Sequence, residues 1–550
     1  MNHQKYRPFP PMKKSDRKWP DRTIVAAPRW CSVDLRDGNQ SIERPMSAER
    51  KRRFFTFLTD MGFKEIEIGF PSASPTEFEF TRSLIDGGLI PGDVVPQVLT
   101  QSREDLIRQT FESLDGVRRA VVHLYNSTSP LQREVVFGKT KSEVKALAVS
   151  GAELILELAR RYGEDRFIFE YSPENFSETE PDFALEVVNA VLDVWKPTPE
   201  KKAIINLPST VEQATPNVFA DQVEYFAERV RYRGGISISV HAHNDRGSAV
   251  AATELALMAG ADRVEGTLFG NGERTGNADI LTLALNMYTH GIDPGLDFSR
   301  IDDVVTVYEE STGMYVHPRH PYAGRLVYTS FSGSHQNAIS RGMAVERPGR
   351  WLVPYLPIDP ADVGRSYAEI VRFNAQSGGG GATYILEKYF GLEIPKAMRR
   401  AVGREATAFA DALGRDVSPE ELFGLFSEKF VNIASPLELV WYDAATNGVS
   451  EVSARVRWNG EERRIAGTGN GSIDAFVGAL ASFLPTRFEV VDYKEHSMTD
   501  AGVKSKAITY VRLRSASGED FFGAGVSTDI PKSAMRAIVS AANRMMAVGD

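Results

Sequence analysis

The chain has 550 residues of ordinary globular composition, 42% hydrophobic and 25% charged, and this length predicts two to four domains. Its formal net charge of -9 argues against a primary nucleic-acid binder, and no apolar run approaches membrane-spanning length. The single cysteine, Cys31, excludes an intramolecular disulfide framework and is typical of a reducing cytosol, so we expect a cytoplasmic protein.

Residues 1–30 are expected to form an N-terminal arm. The first 21 residues mix Lys, Arg, Pro and Asp without an apolar core, which is not typical of a signal peptide. We expect this arm to lie on the surface of the protein or to be partly disordered.

From about residue 30 to 290, short apolar strands alternate with longer amphipathic helical runs. The predicted strands are 30–37, 65–70, 94–99, 119–125, 166–172, 202–208, 236–244 and 263–269, and the helical runs include 48–61, 104–114, 141–162, 183–195, 218–232 and 248–259. Eight such units predict an α/β fold, a closed (β/α)8 TIM barrel over residues 31–325. An open doubly wound sheet is the alternative, but it usually carries a Gly-rich phosphate turn after its first strand. Here that strand ends in Asp34-Leu-Arg-Asp-Gly-Asn-Gln40 instead.

Polar residues collect where the predicted barrel strands end. They are Arg36 and Asp37 on the first strand, His123 on the fourth, Ser172 and Glu174 on the fifth, Asn206 and Thr210 on the sixth, and His241 and His243 on the seventh. The eighth strand leads into Gly270-Asn-Gly-Glu-Arg-Thr-Gly-Asn277. In TIM-barrel enzymes the catalytic groups sit at this C-terminal face, so the collection predicts a functional site.

His241 and His243 end the β-branched run Ile236-Ser-Ile-Ser-Val240. Alternate residues of a strand point to one face, so both imidazoles project the same way. Such a pair supplies half of a divalent metal site. A pair of hydrogen-bonded core histidines is the alternative, and the other polar strand ends favour the metal.

After about residue 325 the alternation stops, and residues 326–431 are expected to form a helical linker region. It contains a glycine tract, residues 377–381, that is more typical of plain flexibility than of a ligand loop. Its candidate functional residues are His335, within Ser332-Gly-Ser-His-Gln-Asn337, and Tyr367, within Val363-Gly-Arg-Ser-Tyr367.

Residues 432–550 predict an α+β domain made of two similar modules. In each, strand-like runs precede a Gly-x-Gly sequence and a helix, with Gly469 and Gly471 in the first copy and Gly523 and Gly525 in the second. Glycines leave backbone N–H groups accessible at a helix N-terminus, which suits a ligand carboxylate. Small residues such as Ala501 would leave room for an aliphatic side chain. A plain dimerisation domain is the alternative.

Taken together, these motifs resemble the 2-isopropylmalate synthases, in the longer form found in actinobacteria and fungi. The resemblance rests on the Asp34–Gln40, His241–Asp245 and Gly270–Asn277 motifs, on Phe169-Glu-Tyr-Ser-Pro-Glu174, and on Asn206-Leu-Pro-Ser-Thr-Val-Glu212. It extends through Tyr355-Leu-Pro-Ile-Asp359 and Ser366-Tyr367 to Gly467-Thr-Gly-Asn-Gly471. It implies condensation of acetyl-CoA with 2-oxoisovalerate and water to 2-isopropylmalate and CoA, in a homodimer inhibited by leucine at the C-terminal domain.

The resemblance also implies a divalent cation (Zn, Mg, Mn or Co) held by Asp37, His241 and His243, with Asn277 as a weak ligand or a support. Arg36 would stabilise the developing alkoxide. Glu174 and His335 are the candidate acid-base residues, with Tyr367 as a hydrogen-bond donor. The residues matching His335 and Tyr367 reach the site from the partner subunit in this family.

The substrate pocket implied by the family comprises Leu99, His123, Ser172, Asn206, Pro208 and Thr210. Leu99 and Pro208 would contact the isopropyl group, and Thr210 would bond the carboxylate. The regulatory site would involve Gly469, Gly471, Ala501, Gly523 and Gly525.

Homocitrate and citramalate synthases are the alternative enzymes. The first must accept a second carboxylate, so it should place a cation or extra donors where Leu99 and Ser172 stand. A non-catalytic leucine sensor built on an inactive barrel is the alternative from another class, and the intact set of candidate catalytic residues argues against it.

Overall fold

A computed structural model of the protein describes residues 2–5, 7–330, 332–345, 347–367, 378–498 and 506–548. The chain forms two compact units, one of residues 1–327 with 358–366 and the other of residues 328–357 with 367–550. Within the described residues, no helix combines the length and the apolar character needed to cross a bilayer.

The first unit is a closed barrel of eight parallel strands in sequential order, which confirms the predicted fold class. The strands are β1 (Arg29–Ser32), β2 (Glu65–Gly69), β3 (Val95–Gln101), β4 (Ala120–Ser127), β5 (Phe167–Glu174), β6 (Ala203–Ser209), β7 (Ile236–Ala242) and β8 (Arg263–Gly266). β8 pairs with β1 and closes the barrel.

Helices cover the outside of this barrel. They are α1 (Ala48–Asp60), α2 (Pro75–Asp86), α3 (Glu104–Ser113), α4 (Lys141–Tyr162), α5 (Pro181–Trp195), α6 (Pro216–Arg229), α7 (Ala249–Met258) and α8 (Ile280–Thr289), followed by α9 (Ile301–Thr312). Local sequence fixes several of their starts. A capping box of Thr140 and Glu143 begins α4, and Ser74 caps α2 just before Pro75.

The N-terminal arm lies on α6. Nε of Arg17 and Nε1 of Trp19 donate to Asp221 at 2.7 and 2.9 Å, and Nζ of Lys14 donates to Glu228 at 2.9 Å. Lys14 and Trp19 are buried by these contacts. The sequence left open whether this segment is ordered, and the ion pairs with α6 explain why residues 14–19 are held in place.

The second unit begins with four helices, α10 (Gly333–Met343), α11 (Gly378–Phe390), α12 (Arg399–Leu413) and α13 (Pro419–Phe430). The glycines 378–381 of the predicted flexible tract form the first turn of α11. Helices α11 to α13 pack against a core that includes Ile508, Tyr510 and Ala524 of the C-terminal domain.

The C-terminal domain contains two similar modules, as the internal repeat predicts, and each has three antiparallel strands and one helix. They are β9 (Leu437–Asn447), β10 (Val449–Trp458), β11 (Glu461–Gly469) and α14 (Ser472–Phe483), then β12 (Phe488–Ser497), β13 (Ala507–Ser515), β14 (Asp520–Ser527) and α15 (Ile530–Met546). The sequence did not indicate β11 and β14 as strands, because glycines interrupt both. A Cβ on Gly525 would lie 2.0 Å from the Ser533 carbonyl oxygen, so glycine lets α15 approach β14.

Candidate active site

A cavity of about 230 Å³ opens at the C-terminal ends of the barrel strands. Strand register places the predicted residues together there, with Leu99 opposite His123 and Pro208 opposite His241. The cavity is lined by Arg36, Asp37, Gln40, Phe70, Leu99, His123, Tyr125, Ser172, Glu174, Asn206, Pro208, Thr210, His241, His243, Glu273 and Arg274. The end of the barrel predicted from the sequence is therefore the end that carries the cavity.

A π-helical turn, Asp34–Gly38, carries Arg36 and Asp37 to the cavity. The predicted strand 30–37 is wrong at its end, since β1 stops at Ser32. The turn is held by the buried Asp34 carboxylate, which accepts from Ser32 Oγ at 2.8 Å and from the Leu268 amide at 3.1 Å. Such π-type turns are rare and are frequent at functional sites.

Asp37, His241 and His243 form a buried three-residue group in which the three possible ligand atoms lie within 4.8 Å of one another. Oδ2 of Asp37 lies 3.4 Å from Nε2 of each histidine. Among the described residues, neither Asp37 Oδ2 nor His243 Nε2 has a hydrogen-bond partner, although both atoms are buried. Unsatisfied buried polar atoms are costly, and a divalent cation would satisfy these.

The outer nitrogens of both histidines are held by hydrogen bonds. His241 Nδ1 lies 2.9 Å from Oε2 of Glu265, and His243 Nδ1 lies 2.6 Å from the Thr210 carbonyl oxygen. Metal-binding histidines usually donate their second N–H in this way, which leaves Nε2 for the metal. Asn277 Oδ1 lies 2.9 Å from His241 Nε2, so a fourth ligand atom, an oxygen, is at hand.

Charges around this group favour a deprotonated carboxylate. Burial alone would raise the pKa of Asp37, but the Arg36 guanidinium and the two histidines hold that pKa well below its usual range. Arg36 Nη1 donates to Asp37 Oδ1 at 2.9 Å, and its Nε donates to Glu67. Asp37 is thus bound through one oxygen, and the other faces the histidines.

A second buried group, His123 with Glu170 and Glu265, also has metal-ligand chemistry. Its charge is already balanced by the buried Arg263, whose Nη1 lies 2.8 Å from Glu265 and 3.4 Å from Glu170. Burial raises the pKa of Glu170 well above its usual range, which favours the neutral acid. This group is suited to an internal ion-pair network rather than to a bound cation.

Glu174 lines the cavity at the end of β5, and its carboxylate accepts a hydrogen bond from the Ser127 hydroxyl. Nearby, Tyr125 is largely buried, and its hydroxyl oxygen accepts from Gln101 Nε2 at 2.7 Å. The Glu174 carboxylate is bonded to a hydroxyl and is accessible from the cavity. It therefore has the chemistry of an acid-base residue.

The predicted substrate pocket residues all line the cavity. His123 Nε2 lies 2.7 Å from Ser172 Oγ, and Asn206 Nδ2 donates to the same hydroxyl at 3.0 Å. Thr210 Oγ1 accepts from the Asn175 amide at 2.9 Å, so its own hydrogen is available to a ligand. Leu99 contributes the apolar part of the wall on the β3 side.

The remaining predicted residues belong to the second unit. His335 is exposed on α10 and stacks on Tyr355 with ring centroids 4.0 Å apart. Tyr367 is half-buried, and burial raises its pKa. Gly469, Gly523 and Gly525 lie within strands and pack closely against helices, so the expectation that they stand open at a helix N-terminus is wrong for these three. Gly471 caps α14 with open space around it, and Ala501 lies outside the described residues.

Three buried polar residues behind the cavity were not predicted from the sequence. They are Gln97 and the two carboxylates to which its amide donates, Glu67 and Glu265. A signal for two of them was present. Charged residues alternate in the otherwise apolar strands Glu65-Ile-Glu67 and Arg263-Val-Glu265, and alternate residues of a barrel strand face inward. The lining residues that were also not predicted are Gln40, Phe70, Tyr125, Glu273 and Arg274.

Three protein-family models match consecutive parts of the chain. Residues 27–307 match HMGL-like proteins, residues 325–387 match the alpha-isopropylmalate synthase, post-catalytic domain-like family, and residues 416–546 match the LeuA allosteric (dimerisation) domain.

Curated relatives align over the whole chain. The 2-isopropylmalate synthase of Acetoanaerobium sticklandii is 54% identical, and those of Clostridium acetobutylicum and Pseudomonas putida are 51% identical. Each alignment covers 99% of this chain and 97 to 99% of the relative. None of these organisms is an actinobacterium or a fungus, so the expected actinobacterial or fungal form is not borne out.

Proposed function

Because the chain belongs to the 2-isopropylmalate synthase family, we propose that it condenses acetyl-CoA with 2-oxoisovalerate and water to give 2-isopropylmalate and CoA. This is the first step of leucine synthesis. The observation that carries the proposal is the meeting of Arg36, Asp37, His241 and His243 at one cavity, in a chain that is 54% identical to such an enzyme over its full length.

Asp37, His241 and His243 fit a divalent cation, because they offer one carboxylate oxygen and two imidazole nitrogens whose other polar atoms are already bonded. A cation held there would supply Lewis acidity to the ketone of the 2-oxo acid. A mixed N and O ligand set suits Zn, Mg, Mn or Co. Asn277 is placed to add an oxygen or to steady His241.

Arg36 is the residue that stabilises negative charge on the reacting oxygens. Its guanidinium lines the cavity beside Asp37, and the bond to Glu67 fixes its orientation before substrate arrives. A preorganised cation in a largely buried site stabilises a developing oxyanion far more than a solvated one does.

Glu174 is the candidate base for the acetyl methyl group, with His335 and Tyr367 supplied by the partner subunit of a homodimer. Proton transfer requires a base within hydrogen-bond reach of the substrate, and Glu174 is the carboxylate of the cavity wall that is bonded to a hydroxyl rather than to an arginine. The match of residues 416–546 to a dimerisation domain supports the homodimer.

The cavity favours a small, partly apolar 2-oxo acid. Thr210 would donate its hydroxyl hydrogen to the carboxylate of the substrate, and Leu99 and Pro208 would contact the isopropyl group. A 2-oxo acid with a second carboxylate needs a further cation or extra hydrogen-bond donors, and Leu99 offers neither. Of the arginines lining the cavity, Arg36 is paired with Glu67 and Asp37, and Arg274 Nε lies 2.8 Å from Asp245. This disfavours homocitrate synthase.

The C-terminal domain is proposed to bind leucine and to inhibit the barrel, a coupling between sites that is typically worth ~1–3 kcal/mol. The family match of residues 416–546 to an allosteric domain supports this role. Gly471 is the regulatory candidate that the packing leaves most open, since no atom lies within 4 Å of a Cβ built there.

The proposed reaction is tested by following CoA release from acetyl-CoA with 2-oxoisovalerate and identifying the product by mass spectrometry. The protein is assayed as prepared, after chelation, and after divalent metal is restored. We expect activity to be lost on chelation and to return with metal, and Asp37→Asn to remain inactive in both states while unfolding at a near-normal temperature. Full turnover by the rigorously metal-free protein would overturn the assigned site.

A further inference from the structure

Gln97 lies behind the cavity and connects two buried carboxylates. Its Nε2 donates to Oε1 of Glu265 at 2.9 Å and to Oε1 of Glu67 at 3.1 Å. Its Oε1 accepts from Nη2 of Arg263 at 2.7 Å. Gln97, Glu67, Glu265 and Arg263 have no exposed surface, and none of them lines the cavity.

The amide of Gln97 has one favourable orientation. A flipped amide would direct its oxygen at two carboxylates and its NH2 group at a guanidinium, so donors would meet donors and acceptors would meet acceptors. Both carboxylates and the Arg263 guanidinium therefore need Gln97 to be oriented as it is, and Gln97 Nε2 also lies 3.2 Å from Nδ1 of His123.

Each carboxylate that Gln97 holds leads to one side of the metal group. Oε2 of Glu265 lies 2.9 Å from His241 Nδ1. Oε2 of Glu67 accepts from Arg36 Nε, and Arg36 Nη1 in turn donates to Asp37 Oδ1 at 2.9 Å. The hydrogen-bonded path from Asp37 to His241 thus runs through the barrel interior, and Gln97 is its central member.

We propose that Gln97 is a positioning residue that sets the placement of His241 relative to Asp37 and thereby the affinity of the metal site. It touches neither the metal nor the substrate, and it acts through the two carboxylates. The inference rests on the proposed function only in requiring a divalent cation at Asp37, His241 and His243.

The test measures Mn²⁺ binding to the full-length protein without substrate, by the electron paramagnetic resonance signal of free Mn²⁺. Gln97→Met keeps the length of the side chain and removes both its donor and its acceptor. Residues bonded directly to a metal ligand typically change affinity by about 10- to 100-fold, and Gln97 lies one hydrogen bond further out, so we expect a loss of about 10-fold. The unfolding temperature of each metal-free variant is measured in parallel, and Gln97→Glu, which can donate at most one hydrogen bond, is used if Gln97→Met does not fold.

Ser239→Ala is the matched control. Ser239 is equally buried and accepts from Nη1 of the same Arg263 at 2.9 Å, but it contacts neither Glu67 nor Glu265 through a hydrogen bond among the described residues. We expect it to bind Mn²⁺ with wild-type affinity. An equal loss in Ser239→Ala would mean that general loosening of the barrel is responsible, and would overturn the proposal.

A double-mutant cycle separates positioning from general loosening. Glu265→Gln removes the carboxylate that acts on His241, so adding Gln97→Met to it should cost less Mn²⁺ affinity than Gln97→Met does alone. Unchanged affinity in Gln97→Met, or strict additivity in the cycle, would overturn the role of Gln97. A wild-type protein that binds no Mn²⁺ at this site would overturn the metal assignment and this inference with it.

Discussion

Nε2 of His241 lies 3.4 Å from Oδ2 of Asp37 at the mouth of the barrel. Burial alone would lower the pKa of His241, but the contacts with Asp37 and Glu265 outweigh it and raise the pKa to about 10. At pH 7 the metal-free ring therefore carries a proton, whereas a metal ligand must be neutral. Metal binding should release about one proton per site, and affinity should fall as the pH is lowered.

Isothermal titration calorimetry measures this release. Metal is titrated at one pH in two buffers of different ionisation enthalpy. Glu265→Gln, which removes one of the two carboxylates that raise this pKa but leaves the proposed ligands in place, is the comparison variant and should release a smaller fraction of a proton. Equal heats in both buffers for the wild type would contradict the raised pKa.

Substitution of Leu99 should change the size of the accepted 2-oxo acid. Leu99→Ala removes part of the apolar wall and enlarges the cavity. We therefore expect kcat/KM to shift toward 4-methyl-2-oxopentanoate relative to 2-oxoisovalerate by about 10-fold or more. Val98 is fully buried beside it, and successive residues of a strand face opposite sides. Val98→Ala should therefore lower stability without changing the preference, and an equal shift in both variants would show that Leu99 does not bound the substrate.

Hybrid dimers should test whether His335 acts across the subunit interface. His335→Ala and His241→Ala chains should each be inactive as homodimers. Mixing them 1:1 should restore about a quarter of the wild-type activity, because half of the dimers are hybrids and each hybrid has one intact site. Subunit exchange is verified with differently tagged chains, and His335→Ala exchanged with itself is the control. If exchange occurs and activity stays absent, each barrel uses its own His335.

Leucine inhibition should depend on the N-terminus of α14. Gly471→Val adds a side chain in open space at the start of the helix. Because φ is -155° there, any residue is tolerated, and the domain should fold. The added side chain should exclude the leucine carboxylate from the helix N-terminus. We expect inhibition to weaken by about 10-fold or more, with uninhibited turnover unchanged. Gly478→Ala, an exposed glycine on the same helix, is the control. Wild-type inhibition in Gly471→Val would place leucine elsewhere.

The barrel and most of its active site follow from sequence because alternation of apolar strands and amphipathic helices is a local signal, and strand ends are where barrel chemistry lies. Arg36 and Asp37 were found in this way, although the π-helical turn that carries them was not, since it depends on the Asp34 carboxylate reaching the Leu268 amide. The strands β11 and β14 were not predicted, because their glycines are required by the close packing of helices, which only the tertiary structure shows. The role of Gln97 also depends on tertiary structure, because a single glutamine in a strand does not indicate which residues it will bond.

The most direct test of the proposed reaction compares 2-oxoisovalerate, 2-oxoglutarate and pyruvate as partners for acetyl-CoA, with the wild-type protein and divalent metal present. CoA release and product mass are measured for each. We expect 2-oxoisovalerate to have the highest kcat/KM and to give 2-isopropylmalate, and pyruvate to be slower because it lacks two methyl groups, each worth about 1–3 kcal/mol of binding. A kcat/KM for 2-oxoglutarate or pyruvate that equals or exceeds that for 2-oxoisovalerate would contradict the proposed substrate.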